Sequence, residues 1–507
     1  MKVQNSKKGS VLIFIIIIAT IGSVIILGLF TFIVAQDKNS RKVSTREQAF
    51  QAAEAGIYWY RWYLAHMVEG KTAREVDQFW NSDPAPIGVG TNNAYEADFP
   101  NPGVSAIGKY KLEITPPPSG SSIIIVKSTG WTDKNPDQKR TIQVRFRKPA
   151  WCEYVVLSDS SVRFGAGTEV FGQVHSNGGV QFDGNAHHLV TALPKTYWIQ
   201  DQDVRGWHDG VWTNNPPESE RFLAGKKFPV PEQSFSAVVA NLNLAKDYSG
   251  PEDGGLYLGQ DKVSGTVRDW ACDHTGCHWT ESSVNNKQVD GYHITFVPQA
   301  GEKNDIVSVR KVTSYGTNSY QILQETSPAD TYTVPDNGLI FVENHAWVEG
   351  RIDNEHLSVV AADLADNPGD PEPPGHDKDI YINNDILYTN KDGRDILGLL
   401  AQDNVTVGLY SEDNLEIDAA LLARYGRVGR DYYSSHEPTY YLRDTVNVYG
   451  ALVTKQRYGF SWIDTQTGNR VSGYDKRNIT FDNNLIYYPP PFFPTGDKYQ
   501  IDLWEEL

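Results

Sequence analysis

The chain has 507 residues and carries 46 Lys and Arg against 63 Asp and Glu, which gives a formal net charge of −17. An acidic surface repels phosphate groups, so this balance argues against a nucleic-acid partner. Three cysteines in a chain of this length exclude a disulfide scaffold, and stability must therefore come from a large core. The length allows roughly three domains of ~150 residues each.

The first predicted element is an apolar helix near the N-terminus. Residues 11–35 run almost without a polar side chain, and the hydroxyl groups of Thr20, Ser23 and Thr31 can bond back to their own helix. At ~1.5 Å per residue this run is long enough to cross a bilayer. A secretory signal has a shorter apolar core followed by its cleavage site, whereas here the small residues precede the run. The sequence therefore predicts a retained transmembrane segment at residues 11–35.

The helix is predicted to continue as an amphipathic segment. Two series of apolar residues recur every seven positions and join in one stripe: Val43, Phe50, Ile57 and Leu64, and Ala53, Tyr60 and Met67. No Gly or Pro interrupts the stretch between Ala35 and Gly56. We expect one helix over residues 10–70, whose stripe packs on a globular head or on neighbouring subunits.

Two motifs at this end carry a family resemblance. The run KKGS, which ends in Gly9 and Ser10, resembles a prepilin peptidase site, and the run AFQAAEA at residues 49–55 is similar to the signature of PilX-type minor pilins. The resemblance implies that residues 1–9 are a leader, that cleavage follows Gly9 and that the new N-terminus on Ser10 is methylated. Major pilins carry Glu at the fifth mature position, where this chain has Phe14, and this difference argues against a major filament subunit.

The resemblance also implies partners and a location. The chain would be a single-pass protein of the inner membrane before assembly and would then lie on the pilus or cell surface. Its partners would be prepilin peptidase, other pilins and the inner-membrane assembly machinery. The residues assigned to helix packing and assembly are Phe14, Val43, Phe50, Ala53, Glu54, Ile57 and Leu64.

Residues 71–148 are predicted to form a small α+β head. Three segments alternate apolar and polar residues as strands do: Lys109–Ile114, Ile123–Gly130 and Thr141–Arg147. Proline and glycine clusters separate them. Three antiparallel strands placed directly behind a pilin-like helix favour a pilin-like domain over any other small α+β domain.

From residue 149 the strands become short, and Gly, Asn and Asp stand at the bends. We expect two blocks, residues 149–189 and residues 336–507 including a C-terminal tail, to form one right-handed parallel β-solenoid, with a β-sandwich as the alternative. Residues 397–405 and 417–423, together with the ending at residues 488–494, also resemble an uncharacterised C-terminal domain that accompanies PilX-like helices. That resemblance implies surface assembly and no chemistry.

Residues 190–335 are predicted to be an insertion between these two blocks. The segment is rich in Trp, Asn and Gly, and Phe235–Leu244 is its helix candidate. Insertions on a rigid scaffold often carry binding functions, so we expect this segment to project from the solenoid and to hold the recognition surface.

Two groups of residues invite a chemical interpretation. Cys272 and Cys277 flank a tight loop, where a disulfide is favoured over free thiols and over a zinc site. The carboxylates of Asp366, Asp370, Asp377 and Asp379 lie in and around a Pro-rich loop, and oxygen ligands of this kind suit calcium. Their spacing does not match an EF-hand, and a solvated acidic loop is favoured, so no metal or cofactor is assigned.

The sequence therefore predicts a minor pilin-like subunit of a type IV pilus or related filament, structural and adhesive, whose large head decorates or caps the filament. No GxSxG, HExxH or P-loop motif is present, and an enzyme is not expected. The alternative is a membrane-anchored β-solenoid enzyme that acts on surface polysaccharide, with the acidic loop as its site.

Overall fold

The computed structural model describes residues 8–507 except residues 70, 72, 91–92, 102–103, 118–121, 202, 236, 274–275, 300–304, 365–376, 436–438, 465–466, 468 and 497. The helices are α1 (Lys8–Met67), α2 (Ala73–Trp80), α3 (Glu218–Arg221) and α4 (Ala237–Asp247). The strands are β1 (Tyr95–Asn101), β2 (Val104–Thr115), β3 (Ile124–Thr132), β4 (Asn135–Arg147), β5 (Val156–Ser158), β6 (Val162–Phe164), β7 (Thr168–Phe171), β8 (Val174–Ser176), β9 (Val180–Phe182), β10 (Asn185–Ala186), β11 (Val190–Ala192), β12 (Thr196–Ile199), β13 (Gly206–Asp209), β14 (Val211–Trp212), β15 (Lys226–Lys227), β16 (Leu256–Leu258), β17 (Lys262–Asp273), β18 (Gly276–Gln288), β19 (Gly291–Val297), β20 (Ile306–Tyr315), β21 (Ile322–Thr326), β22 (Asp330–Thr333), β23 (Leu339–Val342), β24 (His345–Ile352), β25 (His356–Ala361), β26 (Ile380–Ile382), β27 (Ile386–Tyr388), β28 (Ile396–Ala401), β29 (Val405–Val407), β30 (Asn414–Ala423), β31 (Val428–Arg430), β32 (Leu442–Thr454), β33 (Ser461–Ile463), β34 (Arg470–Phe481) and β35 (Gln500–Glu506).

The first half of α1 is a free apolar helix. Its side chains from Val11 to Val34 are exposed on all sides, and the helix is long and apolar enough to cross a bilayer. The Thr20 hydroxyl donates to the Ile16 carbonyl at 3.0 Å, and Ser23 donates to Ala19 at 2.7 Å. The predicted back-bonding of these polar groups is confirmed, so they present no unsatisfied donor to lipid.

The second half of α1 packs on an antiparallel sheet with the strand order β1-β2-β3-β4-β35. The three segments predicted as strands are present in longer form as β2, β3 and β4, and β1 joins them at one edge. Residues of β3 are alternately buried and half-buried, because one face of the sheet meets the helix and the other faces outward.

The C-terminal strand β35 completes this sheet. It runs antiparallel to β4, and the Arg145 guanidinium donates to Asp502 at 2.9 and 2.8 Å. The sequence predicts this end of the chain as a tail of the second block. The structure instead shows that everything from residue 148 to residue 499 is inserted between two neighbouring strands of one sheet.

Between β4 and β35 most strands pair side by side in parallel, in three rows. The first row follows the order β16, β23, β25, β28, β30, β32, β5, β8, β11, β15. The second row comprises β19, β24, β26, β29 and β31, and in a separate stretch β6, β9 and β14. The third row follows β24, β27, β30, β32, β34, β7 and β10. Antiparallel hairpins such as β12–β13 and β17–β18 make the sheets mixed.

Apolar side chains are stacked in register along these rows. Leu399 is opposite Leu421, Leu421 is opposite Leu452, and Leu452 is opposite Val156, and all four are fully buried. The seven residues predicted to point inward are all in the main core: Ala401, Val405, Val407, Leu415, Ile417, Ala419 and Leu421. The core is therefore continuous from strand to strand, although each strand is short.

The predicted insertion at residues 190–335 does not stand apart from the rows. Its strands β11, β15, β16 and β19 pair in parallel with row members, and Val190, Leu258 and Ile294 are buried in the main core. Apolar and polar residues alternate in these segments as they do in the two predicted blocks, and their apolar side chains therefore pack in the same core. The predicted helix Phe235–Leu244 is α4, shifted to Ala237–Asp247, and the side chains of Val238 and Val239 lie outside the described set.

Candidate functional site

The contact between α1 and the sheet is built from small side chains. Ala49, Ala52 and Ala53, three alanines of the AFQAAEA run, are fully buried. Facing them on β3 is Gly130, where an added Cβ would lie 2.2 Å from the Ala49 carbonyl oxygen and 2.3 Å from the Ala53 nitrogen. The helix backbone therefore touches the strand backbone directly. The motif supplies the side chains that permit this contact.

Gly56 serves the same contact one turn further along the helix. A Cβ at this position would lie 2.4 Å from the Ser128 hydroxyl oxygen and 2.8 Å from the Tyr110 ring. A glycine inside a helix costs about 1 kcal/mol relative to alanine. Close packing against β2 and β3 accounts for its presence here.

The predicted seven-residue stripe is buried over part of its length. Ile57, Leu64, Ala53 and Tyr60 are fully buried, Phe50 is half-buried beneath the Arg140 guanidinium at 6.0 Å, and Glu54 is half-buried. Val43 is 68% exposed and Met67 is 42% exposed. Within this chain burial of α1 thus begins at Ala49, and Val43 lies in the exposed polar stretch that precedes it.

The processing residues lie at the start of α1. Gly9 and Ser10 are in its first turn with side chains outside the described set, and residues 1–7 lie outside the described residues. Phe14, one turn further on, is 65% exposed. The predicted cleavage point thus directly precedes the free apolar segment.

A second feature, the aromatic cleft, lies on the parallel body, by which we mean the strands between β4 and β35. It has a volume of about 390 Å³, and its walls come from β17, β18, β19, β24, β26, the start of β21 and the turns after β26 and β29. Its principal lining residues are Arg268, Trp270, Trp279, His293, Trp347, Glu349, Tyr381, Asn383, Asn384 and Tyr410. Part of the segment predicted to carry recognition therefore faces strands of the second block across one cleft.

The outer wall of the aromatic cleft is the hairpin β17–β18. Trp270 and Trp279 are directly opposite in the strand register, with ring centroids 5.2 Å apart and planes inclined at 63°. The Arg268 guanidinium lies 4.4 Å from the Trp279 ring centroid, within the range of a cation–π contact. Two residues beyond the tryptophans, Cys272 and Cys277 are opposite each other and joined by a disulfide.

An ionic network centred on Glu325 and His293 holds Arg268 of this wall in place. Glu325 is fully buried and accepts from Arg268 Nε at 2.7 Å and from His293 Nδ1 at 2.9 Å. The other ring nitrogen of His293 lies 3.1 Å from Glu349 Oε1. One imidazole thus bridges two carboxylates, and it holds Glu349 at the edge of the aromatic cleft.

The environment of this bridge sets the protonation of its members. Burial lowers the pKa of His293, but hydrogen bonds to Glu325 and Glu349 outweigh burial and raise it to about 9. Burial raises the pKa of Glu349, but hydrogen bonds from His293, Asn384 and Thr295 outweigh burial and lower it to about 2. At neutral pH the ring is therefore an imidazolium and Glu349 is a carboxylate that only accepts hydrogen bonds.

The floor of the aromatic cleft is a packed aromatic group. Trp347 is 2% exposed and donates its indole N–H to the Tyr320 carbonyl at 2.7 Å. Tyr381 stacks on the Tyr320 ring at 4.6 Å, and its hydroxyl donates to Asp379 Oδ2 at 3.0 Å. These bonds hold the floor rings in place.

The acidic loop is only partly within the described residues. Asp366 and Asp370 lie outside them, and Asp377 pairs with Lys378 at 3.0 Å. Asp379 accepts from the Asn404 backbone at 2.8 Å as well as from Tyr381, and burial raises its pKa to about 6. Among the described residues no cluster of three or more His, Cys, Asp or Glu is arranged for a metal ion.

The sequence analysis did not predict the aromatic cleft. Its residues come from separate segments between Arg268 and Tyr410, and the symmetric placement of Trp270 and Trp279 about the cysteine loop is the one local signal of a shared wall. The remaining lining residues alternate as ordinary strand residues do. They become neighbours because β19, β24 and β26 pair in parallel, while β20 and β21 join β17 to β19 by antiparallel pairing.

Comparisons with known proteins add little. No family model matches the chain, and no curated protein matches it. Among solved structures it is similar to the competence-associated pilin ComZ from Thermus thermophilus, at 13% identity over 91% of this chain and 98% of that chain, with a TM-score of 0.27. A TM-score this low does not establish a shared fold.

Proposed function

We propose that this chain is a minor pilin-like subunit of a type IV pilus or a related surface filament. The observation that carries the proposal is the two-part helix α1, whose exposed apolar half is long enough to cross a bilayer and whose second half is seated through small residues on an antiparallel sheet. Such a helix serves a subunit that is first held in a membrane and then packed among other apolar helices.

The partners follow from the same helix. Residues 11–35 anchor the chain in the inner membrane, and prepilin peptidase cleaves after Gly9 and methylates Ser10. Other pilins then cover the apolar surface that is exposed in the isolated chain. Phe14 places no charge within this apolar surface, which fits a minor subunit of the PilX type better than a shaft subunit.

The body carried by this helix is proposed to be a β-solenoid with an adhesive role. In-register parallel pairing in three rows, with apolar residues stacked from strand to strand, supports the solenoid over the sandwich. An experimental structure in which β25, β28, β30 and β32 pair antiparallel would contradict it.

We propose no enzymatic role for this body. A glycoside hydrolase needs one protonated carboxyl group as its acid. Burial raises the pKa values of Glu325 and Glu349, but hydrogen bonds from His293 outweigh burial and lower both. Burial raises the pKa of Asp379 to about 6, but both of its carboxylate oxygens already accept hydrogen bonds, from Tyr381 and from Asn404. Release of sugar ends from a polysaccharide by the pure protein, abolished by Glu349→Gln or Asp379→Asn, would overturn this proposal.

Processing is the direct test of the pilin-like assignment. In cells that contain a prepilin peptidase, we expect the mature chain to begin at Ser10 and to carry a methyl group, because the small residues stand immediately before the apolar helix. Mass spectrometry of the intact N-terminal peptide measures both. Gly9→Leu should leave the chain uncut. A native chain that still begins at Met1, or one cut beyond Ala35, contradicts the assignment.

A further inference from the structure

We propose that the aromatic cleft binds an uncharged glycan chain, with sugar rings lying on the faces of Trp270 and Trp279. The inference goes beyond the proposed function, because it concerns the body alone and holds whether or not the chain enters a filament. It rests on the ring geometry, on the hydrogen-bonding groups around the rings and on the charge along the groove.

The tryptophan pair offers a surface suited to sugars. The C–H bonds on one face of a pyranose carry a small positive charge and are attracted to the negative face of an aromatic ring. Trp270 and Trp279 meet edge to face, with planes inclined at 63°, and Arg268 covers one face of Trp279. Both rings are only half-buried, so we expect their remaining open surfaces to serve successive rings of a curved chain. Arg268 on Trp279 and the Cys272–Cys277 disulfide fix the pair before any ligand arrives, which lowers the entropic cost of binding.

The groups beside the rings match hydroxyl groups. A sugar hydroxyl both donates and accepts, so its site needs partners of both kinds. Glu349 is held as an acceptor by His293, and the exposed Asn384 amide, which donates to Glu349, adds both functions. Tyr410, 37% exposed, adds a phenol to the lining of the cleft. Polar groups placed around an aromatic platform favour a polyol over a lipid tail.

The site is longer than one sugar. A second, more open depression of about 440 Å³ shares Glu349 and Asn384 with the aromatic cleft and continues past Asp385 and Glu412. A linear ligand thus has a continuous path along the face of the body. The carboxylates in that stretch outnumber the single Arg351, but Arg268 and the His293 imidazolium in the adjoining aromatic cleft offset them. The groove as a whole therefore carries no strong charge of either sign that would attract a charged polymer. An uncharged chain fits both the length and the charge.

Binding is measured on the detergent-solubilised full chain by calorimetry and tryptophan fluorescence, with cellohexaose, N-acetylchitohexaose and maltohexaose as probes. We expect at least one of them to bind and to change the fluorescence. Trp270→Ala and Trp279→Ala should each weaken that binding about tenfold or more, because each removes a stacking surface. Trp279→Phe should weaken it less. The matched control is Trp207→Ala, which removes a 69% exposed tryptophan from the separate hairpin β12–β13.

Four results would overturn the proposal. The first is that none of the three hexasaccharides binds. The second is that the best of them binds the two tryptophan variants as tightly as the parent chain, with melting temperatures confirming that the variants are folded. The third is equal affinity for hexagalacturonate, which removes the requirement for an uncharged chain. The fourth is selection of peptides from a random decapeptide library in a Trp279-dependent manner without any sugar binding, which would assign the cleft to a peptide. None of these four results affects the N-terminal processing test, so the two proposals can fail independently.

Discussion

At the scale of single residues, His293 explains why the aromatic cleft can be rigid although charged groups line it. A buried imidazolium between two carboxylates is stable only when each charge finds a partner, and here Glu325 also accepts from Arg268. Removing one member leaves the others unpaired in a poorly solvated place. The stability of the fold should therefore depend on this network, and it should change with pH because His293 and Glu349 change protonation.

The stabilising effect of His293 should depend on pH in a definite direction. Its pKa of about 9 in the folded chain is above the ordinary value of about 6.5, so its stabilising effect is complete below about pH 6.5 and is lost as the pH rises through 9. The pKa of Glu349 is lowered to about 2, so its contribution is complete above about pH 4.5 and is lost as the pH falls toward 2.

We therefore expect His293→Gln to lower the melting temperature most between about pH 4.5 and pH 6.5, and progressively less toward pH 9. Thermal unfolding of both chains across this range, followed by circular dichroism, measures the difference. His66→Gln, which changes an exposed histidine on α1, is the matched control and should show no such trend. A difference that grows from pH 6.5 to pH 9 would contradict the assigned network.

At the scale of elements, the contact of α1 with β3 shows why the alanines and glycines of the motif stand where they do. Backbone approaches backbone at Gly130, and any side chain there meets the helix main chain, which cannot move without shifting the whole element. The seven-residue periodicity predicts the buried positions Ile57 and Leu64 correctly. It does not distinguish positions that contact the sheet from positions such as Val43, which has the same spacing but is exposed before that contact begins.

Gly130→Ala should destabilise the antiparallel sheet by about 1–3 kcal/mol, since the added methyl group overpacks a contact with rigid backbone. Chemical denaturation monitored by the fluorescence of the solubilised chain measures the loss. Gly459→Ala is the matched control, because an added Cβ there meets nothing within 4 Å. Equal stability of the Gly130 variant and the parent chain would show that the helix does not approach β3 this closely.

At the scale of the whole molecule, the decisive feature is that the parallel body is inserted into the antiparallel sheet. The chain leaves the sheet after β4 and returns to it as β35. Near the start of the body, β5 and β7 pair with β32 and β34 near its end, so the two ends of the body are in contact. An isolated bridge between Ala150 and Thr495 closes the connection. Two chain crossings thus join the body to the sheet, which gives a firmer attachment than a single linker would.

Ending the chain at Tyr499 should expose the outer edge of β4. We expect faster cleavage near Arg145 and Arg147, because both lose Asp502 and the backbone loses its partner strand. Limited proteolysis with mass spectrometry measures this, and removal of Leu507 alone is the control. The strands of the parallel body should keep their protection in both chains. Unchanged cleavage near β4 would mean that β35 is not a member of the sheet.

The sequence by itself determined which segments form elements and which side of each element is apolar. The uninterrupted run at residues 11–35, the strands β2 to β4 and the inward residues from Ala401 to Leu421 were all predictable, because local periodicity decides which face leaves water. Only the tertiary structure decided which strands meet. An alternating strand has the same pattern whether its partner is parallel or antiparallel, near or far in the sequence. Nothing in the sequence of β35 therefore identifies β4 as its partner, and the bonded residues Arg145 and Asp502 are 357 positions apart. The aromatic cleft arises in the same way, since its residues become neighbours through pairings that local sequence does not encode.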